Sequence, residues 1–421
     1  MERAMTEPTD PATDRPAVTA ADVRAAAERF DDPSIVQHTP VDRSRSISEM
    51  IDADVRLKME HLQRTGSFKT RGAYNKLAGL ADSEGVDRVV AASAGNHAQG
   101  VALAAQKVGL PATIVMPEDA PQTKVDATRG YGADVVLHGI DFRAAVAHAE
   151  ELASEEGSEF VHAFDDPAIV AGQGTIGYEI VEDLPDVDTV VVPIGGGGLI
   201  GGIGAALAEA KPEVRLVGVQ SDPVATVPDS LDKGGPQSID EGTTIADGIA
   251  TGSISNLTFE LIDEHVDEVV TVDDEELAHG VLVLLERAKQ LVEGAGAAPV
   301  AALLSGRVDL DDDETVVAVL SGGNLDMTML DTLLTHELTA RSQHLRLEVR
   351  IDDEPGVMQE IAGEIADRGG NIRTVDHVRS DDRLKVGEAF LVFVVETSGK
   401  EHADALRAAI ADLGYEVRRV N

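Results

Sequence analysis

Cysteine is absent from the 421 residues, so disulfides, thiolate metal sites and a cysteine nucleophile are all excluded. Also absent is an apolar run of the roughly 18 residues a membrane helix requires. Residues 194–208 come nearest, but their glycines suit a loop opening into a helix. Residues 1–18 lack both a basic segment and an apolar one, which argues against a signal or transit peptide; their Pro, Asp and Thr read as a disordered acidic tail. Positive charge is scarce. The 35 Lys and Arg face 76 Asp and Glu, a formal net charge of −41 that opposes phosphate backbones and anionic membranes and argues against nucleic-acid or membrane partners. The acidic residues are dispersed, which is tolerable where concentrated salt shortens the screening length to about 3 Å. The chain therefore reads as a halophilic, cytoplasmic protein, with an ordinary acidic protein as the alternative.

What is present is enough apolar sequence, 43%, to fold more than one core. Short β-branched runs at 55–60, 89–93, 112–116, 134–138, 189–194, 215–220 and 316–320 alternate with Ala-rich helical stretches. Their near-continuous apolar character suits strands of parallel sheets covered on both faces, so the class is α/β. Ligands in such sheets gather at the carboxyl ends of strands, where glycine-rich turns fall at 93–97, 195–198 and 321–324. From 334–343 the pattern changes. Beyond it, strands at 345–351, 371–378, 389–396 and 415–420 and helices at 356–368 and 402–413 follow a βαββαβ order, a ferredoxin-like α+β unit. The expected organisation is a tail over 1–18, a large domain of two α/β lobes over 19–341 and a small domain over 342–421.

Four segments carry chemistry. In Gly66-Ser67-Phe68-Lys69-Thr70-Arg71-Gly72-Ala73 one lysine sits among small and aromatic neighbours, where desolvation would lower its pKa and free the amine for Schiff-base chemistry; taken alone, Lys69 reads first as a solvated side chain. Gly195, Gly196, Gly197 and Gly198 lie between a strand and an Ala-rich helix, so backbone N–H groups can turn toward an anion; a flexible linker is the plainer reading. Ser93-Ala94-Gly95-Asn96-His97 offers N–H groups for a carboxylate and an amide for a ring hydroxyl, or simply a polar helix cap. Ser321-Gly322-Gly323-Asn324 closes another buried strand, as a turn would.

Together these motifs resemble the fold-type II pyridoxal-phosphate family, the two-lobed tryptophan synthase β-like enzymes with parallel sheets, and most closely its threonine dehydratases, or threonine ammonia-lyases. The resemblance covers about 36–334. It implies that Lys69 carries pyridoxal 5'-phosphate and later takes the Cα proton, that Phe68 packs beside the ring, and that Asn96 meets the ring hydroxyl. It places the cofactor phosphate on Gly195 to Gly198, Ser321 at the pyridine nitrogen, and the substrate carboxylate on Ser93, Gly95, Asn96 and His97. A neutral Ser321 makes the cofactor a weaker electron sink than an aspartate would, which favours β-elimination over transamination. The implied reactions are L-threonine to 2-oxobutanoate, and L-serine to pyruvate, each with release of ammonia. Glu293, in Val292-Glu293-Gly294-Ala295-Gly296, matches a family segment near the ring, and reads as well as a helix-end carboxylate.

Serine racemases and serine dehydratases share these motifs. A racemase needs a proton-carrying residue where this chain has Ala94, and its cation site begins with an acid where this chain has Gln220, so no metal is assigned. A non-catalytic amino-acid sensor is the alternative from outside enzymology. The C-terminal unit resembles an ACT domain, which implies an amino-acid effector, isoleucine or valine, held by Asp353, Pro355, Gly356 and Asn371 across a domain pair. A dimerisation module without ligand is the simpler reading. A homo-oligomer, dimer or tetramer, is expected.

Overall fold

The computed structural model describes residues 18–239 and 242–420, so the tail expected over 1–18 lies outside the described residues save for Val18. The strands run β1 Val41–Arg43, β2 Asp54–Lys58, β3 Arg88–Ala92, β4 Ala112–Met116, β5 Asp134–Leu137, β6 Ser158–Phe160 and β7 Thr189–Pro193. They continue with β8 Arg215–Ser221, β9 Glu268–Val272, β10 Thr315–Val319, β11 His344–Asp352, β12 Asn371–Val378, β13 Glu388–Glu396 and β14 Glu416–Arg419. The helices are α1 Ala20–Ala27, α2 Arg45–Ile51, α3 Lys69–Ala81, α4 Asn96–Val108, α5 Gln122–Gly130, α6 Phe142–Ala153, α7 Pro167–Asp183 and α8 Gly198–Ala210. After them come α9 Val227–Lys233, α10 Asn256–His265, α11 Asp274–Val283, α12 Gly294–Leu304, α13 Met327–Ala340, α14 Val357–Asp367 and α15 Lys400–Asp412. Among the described residues no helix is long and apolar enough to cross a membrane.

By its contacts the chain divides into two units, Met1–Leu325 and Asp326–Asn421. The first holds two sheets. In the larger, of order β1-β2-β10-β7-β8-β9, every pairing is parallel except the short edge strand β1, which runs antiparallel to β2. The smaller, of order β5-β4-β3-β6, is parallel throughout. The central strands are apolar because helices cover both their faces: β7 is buried at every position.

Helix α7 belongs to both cores. Asp166 caps its start, accepting from Ala168 N at 2.8 Å, and Pro167 stands at its first position, where no N–H is needed. Ile169 packs in the core of the smaller lobe with Val89, Ile114, Ala73 and Leu77, whereas Ile176 and Ile180 pack in that of the larger lobe with Val190, Ile200 and Val317. Its contact with α3 is backbone to backbone, since a Cβ on Gly172 would lie 2.6 Å from Gly72 Cα.

The second unit contains the antiparallel sheet β12-β13-β11-β14, preceded by α13. Alternate residues Leu345, Leu347, Val349 and Ile351 of β11 face α14 and α15, whose Ile361, Ile365, Leu406 and Ile410 complete a core. Three arginines cover Phe390 instead: the guanidinium carbons of Arg350, Arg383 and Arg418 lie 5.5, 4.5 and 5.8 Å from its ring centre. This is the βαββαβ arrangement read from the sequence.

Candidate active site

The loop before α3 is fastened to the turn after β10. Phe68 N donates to Ser321 O at 3.1 Å, Gly323 N donates to Gly66 O at 2.8 Å, and Ser67 bridges Gly322. Gly66 has φ +76°, and a Cβ there would meet Asn324 Oδ1 at 2.5 Å, so only glycine suits the junction. Lys69 follows as the first residue of α3. Its Nζ donates to Ala163 O at 3.0 Å and lies 5.2 Å from the centre of the Phe68 ring. Withdrawal of the amine from water brings its pKa down from the usual 10.5 to about 8, against the opposing pull of Glu293.

Asn96 opens α4 and forms the middle of an amide chain. Its Nδ2 donates to Glu293 Oε1 at 2.6 Å, and its Oδ1 accepts from Asn324 Nδ2 at 2.7 Å. Glu293 precedes α12, and its N–H donates to Gly322 O at 3.1 Å. Burial pushes its carboxyl up to about 7, although the Asn96 hydrogen bond works the other way. Ser93 Oγ accepts from Gly95 N at 3.1 Å. The His97 ring turns to the Val161 carbonyl, 2.9 Å from Nε2, and burial, then the charge of Lys69, take its pKa down to about 3. The His97 ring is therefore neutral, with Nε2 at the Val161 carbonyl. His97 Nδ1 and Ser67 Oγ are buried without a hydrogen-bond partner.

The glycine loop leaves β7 and becomes the first turn of α8. Gly197 has φ +88°; a Cβ on Gly196 would lie 2.2 Å from the Phe164 ring, and one on Gly195 would lie 3.0 Å from Ile249 Cα. No side chain fits, so the N–H groups at the start of a 13-residue helix are left to an anion. Ala163 and Phe164 join the two halves: the first holds the Lys69 amine and the second lies against Gly196 and Gly198. Lys69, Asn96, Ser321 and the glycine loop are thus gathered within one unit. A desolvated amine, a side-chain-free anion cradle and a hydrogen-bonded amide form a donor set that fits pyridoxal phosphate.

Sequence reasoning missed the Ala163 carbonyl and the bridging role of Asn324. It also missed a buried cluster of Lys58, Glu60, Arg71 and Glu179, although Arg71 stands in the segment quoted for Lys69. Gln220 Oε1 accepts from Thr226 N at 3.0 Å and Val227 N at 2.8 Å, fastening the turn before α9. In the second unit, Asp353 accepts from Arg379 Nε at 2.6 Å and His377 Nε2 lies 3.1 Å from its carboxylate, and these neighbours hold its carboxyl below the usual range. Asn371 Nδ2 donates to Glu396 Oε2 at 2.8 Å. Asp353 lies beside the Val378 end of β12 and Asn371 at its start, roughly 20 Å apart at strand rise, so a single chain does not bring them together. Gly356, φ +100°, and the exposed Pro355 lead into α14.

Residues 34–322 match the family described as pyridoxal-phosphate dependent enzymes, and residues 345–418 match the ACT domain. The chain belongs to the pyridoxal-phosphate dependent enzymes, and carries an ACT domain after the catalytic fold. Over 96% of its length it is 44% identical to the whole of an L-threonine ammonia-lyase of Thermotoga maritima, and over 91% it is 44% identical to an L-threonine ammonia-lyase of Geobacter sulfurreducens, covering 95% of that protein. Threonine deaminase isoform 2 of Solanum lycopersicum superposes with a TM-score of 0.70 at 34% identity, over 75% of this chain and 86% of that one. Maize serine racemase superposes with a TM-score of 0.71 at 32% identity, over 77% and 99%.

Proposed function

We propose that this chain is an L-threonine ammonia-lyase that forms 2-oxobutanoate and ammonia, and also converts L-serine to pyruvate and ammonia. The observation that carries the reading is the Lys69 amine, desolvated to a pKa of about 8 and held 3.0 Å from the Ala163 carbonyl beside the Asn96–Glu293 pair. Such an amine is neutral often enough near neutral pH to take a proton. When bound, pyridoxal phosphate supplies an electron sink for charge developing on Cα. The chain's own residues do the rest. Gly195, Gly196, Gly197 and Gly198 would hold the phosphate, Asn96 the ring hydroxyl and Ser321 the pyridine nitrogen, with Phe68 against the ring. Ser93, Gly95, Asn96 and His97 would orient the substrate carboxylate through hydroxyl and backbone N–H groups. Lys69 would take the Cα proton and return it to the departing β-hydroxyl, which leaves as water, and hydrolysis of the released enamine by one water would give the 2-oxo acid and ammonia.

Ala94 carries no proton, which supports elimination over racemisation. The small unit proposed for 342–421 would hold isoleucine or valine, with Asp353, Pro355 and Gly356 of one copy facing Asn371 of another, a reading that their separation within one chain supports. A homo-oligomer follows from that pairing. The net charge of −41 supports a halophilic cytoplasm and no nucleic-acid or membrane partner. The test is an assay in concentrated KCl with L-threonine and L-serine, following 2-oxo acid and D-amino acid together. Oxo acid without D-serine supports the lyase; D-serine in quantity supports a racemase, and a colourless, inert protein supports a sensor.

A further inference from the structure

Four charged side chains meet in the interior of the first unit. Lys58 ends β2 and Glu60 follows it, Arg71 lies on α3, and Glu179 lies on α7; Lys58, Glu60 and Arg71 are each 0% exposed. The Arg71 guanidinium is saturated. Its Nε and Nη2 donate to Glu60 at 2.8 and 2.7 Å, its Nη1 and Nη2 donate to Glu179 at 2.6 and 2.8 Å, and Thr175 Oγ1 and Gln37 O accept at 3.1 and 3.0 Å. Lys58 Nζ donates to Glu179 Oε2 at 2.5 Å and to Thr39 O at 2.6 Å. Two cations and two carboxylates balance, and the pull of Arg71 holds the Glu60 carboxyl below its ordinary range although burial alone would raise it.

Apolar residues of equal volume stabilise a fold at least as well as buried ion pairs, so a cluster of this kind points to a demand for geometry. That demand is visible at the start of α3. The helix has no side-chain N-cap, and Lys69 is its first residue. Arg71 stands two positions on, roughly 200° around the axis, at a planar fork that tolerates few orientations. We propose that Arg71 is the positioning residue of the site: clamped between Glu60 and Glu179, it fixes the rotation of the first turn of α3 and so the aim of the Lys69 amine.

The inference rests on the reading of Lys69 as the reacting amine, and the experiment separates the two. Holoenzyme carrying Arg71→Lys or Glu179→Gln is compared with wild type and Lys69→Ala for kcat, KM for L-threonine, the yellow absorption band and melting temperature. Both cluster variants are expected to keep the band and KM while kcat falls by about tenfold to a hundredfold, as about 1 Å of misplacement at a reacting group produces. A lowered melting temperature with unchanged kcat in both would overturn the proposal and leave the cluster a structural feature. If Arg71→Lys does not fold, Glu179→Gln, at the 14% exposed edge of the cluster, decides on the same readouts. An active Lys69→Ala would instead remove the reading on which the proposal stands.

Discussion

The amide of Asn96 donates to the carboxyl of Glu293 at 2.6 Å, and so a residue that opens one helix is fixed by the residue that precedes another, 197 positions along the chain. Glu293 keeps its proton to about pH 7 because it is buried. Its folded-state pKa is raised, so the native chain binds the extra proton between about 4.5 and 7, and this group makes stability fall as pH rises through that window and levels off above it. Glu293→Gln is expected to remove that slope from urea melts of the apoprotein, and to move the inflection near pH 7 in the kcat profile. An unaltered profile and slope would mean that Glu293 does not titrate there.

Lys69→Ala should abolish the yellow band and lower turnover by on the order of a thousandfold or more, since the acid–base group itself is gone. The variant should fold, because the Lys69 amine makes one hydrogen bond, to the Ala163 carbonyl. In the apoprotein the Lys69 amine should reach half-maximal reactivity near pH 8, where an exposed lysine would need about 10.5.

Gly196→Ala should weaken cofactor binding by an order of magnitude or more, measured by titration of apoprotein, because its methyl would meet the Phe164 ring at 2.2 Å. Gly79→Ala, in α3 with nothing within 4 Å of the new Cβ, should leave binding unchanged and stabilise the fold by about 0.5–1 kcal/mol.

Dialysis from molar KCl to about 0.1 M, which lengthens screening from about 3 Å to about 10 Å, should unfold the chain as 76 acidic residues repel one another. Circular dichroism checks this, and full helicity at low salt would remove the halophilic reading.

Asp353→Ala should reduce the response of activity to isoleucine or valine while leaving kcat without effector unchanged. An intact response would place the effector elsewhere, since Arg379 and His377 already engage this carboxylate.

The strands were legible to within a residue or two wherever β-branched runs are covered on both faces, as in β7 and β10. Strands β1, β6 and β9 gave no such signal: they are short or only half-buried, and their pattern is mixed. The Asn96 loop and the glycine loop stood out because each falls between a strand and a helix, whereas Lys69 stood out only through the resemblance carried by the segment Gly66 to Ala73. The clamp on Arg71 was not, because Glu60 and Glu179 stand 11 and 108 positions away and an isolated charge in sequence reads as surface. The Ala163 carbonyl is a backbone atom and leaves no trace in residue type at all.

Helix α7 gives residues to both cores of the first unit, with Ile169 in one and Ile176 and Ile180 in the other. Melting of either lobe should therefore draw on the other, and the amides along Ala171 to Ile180 should be among the slowest to exchange with deuterium. Calorimetry of that unit should record one cooperative peak from two sheets, so that damage to either lobe is felt as a loss of the whole reaction cleft.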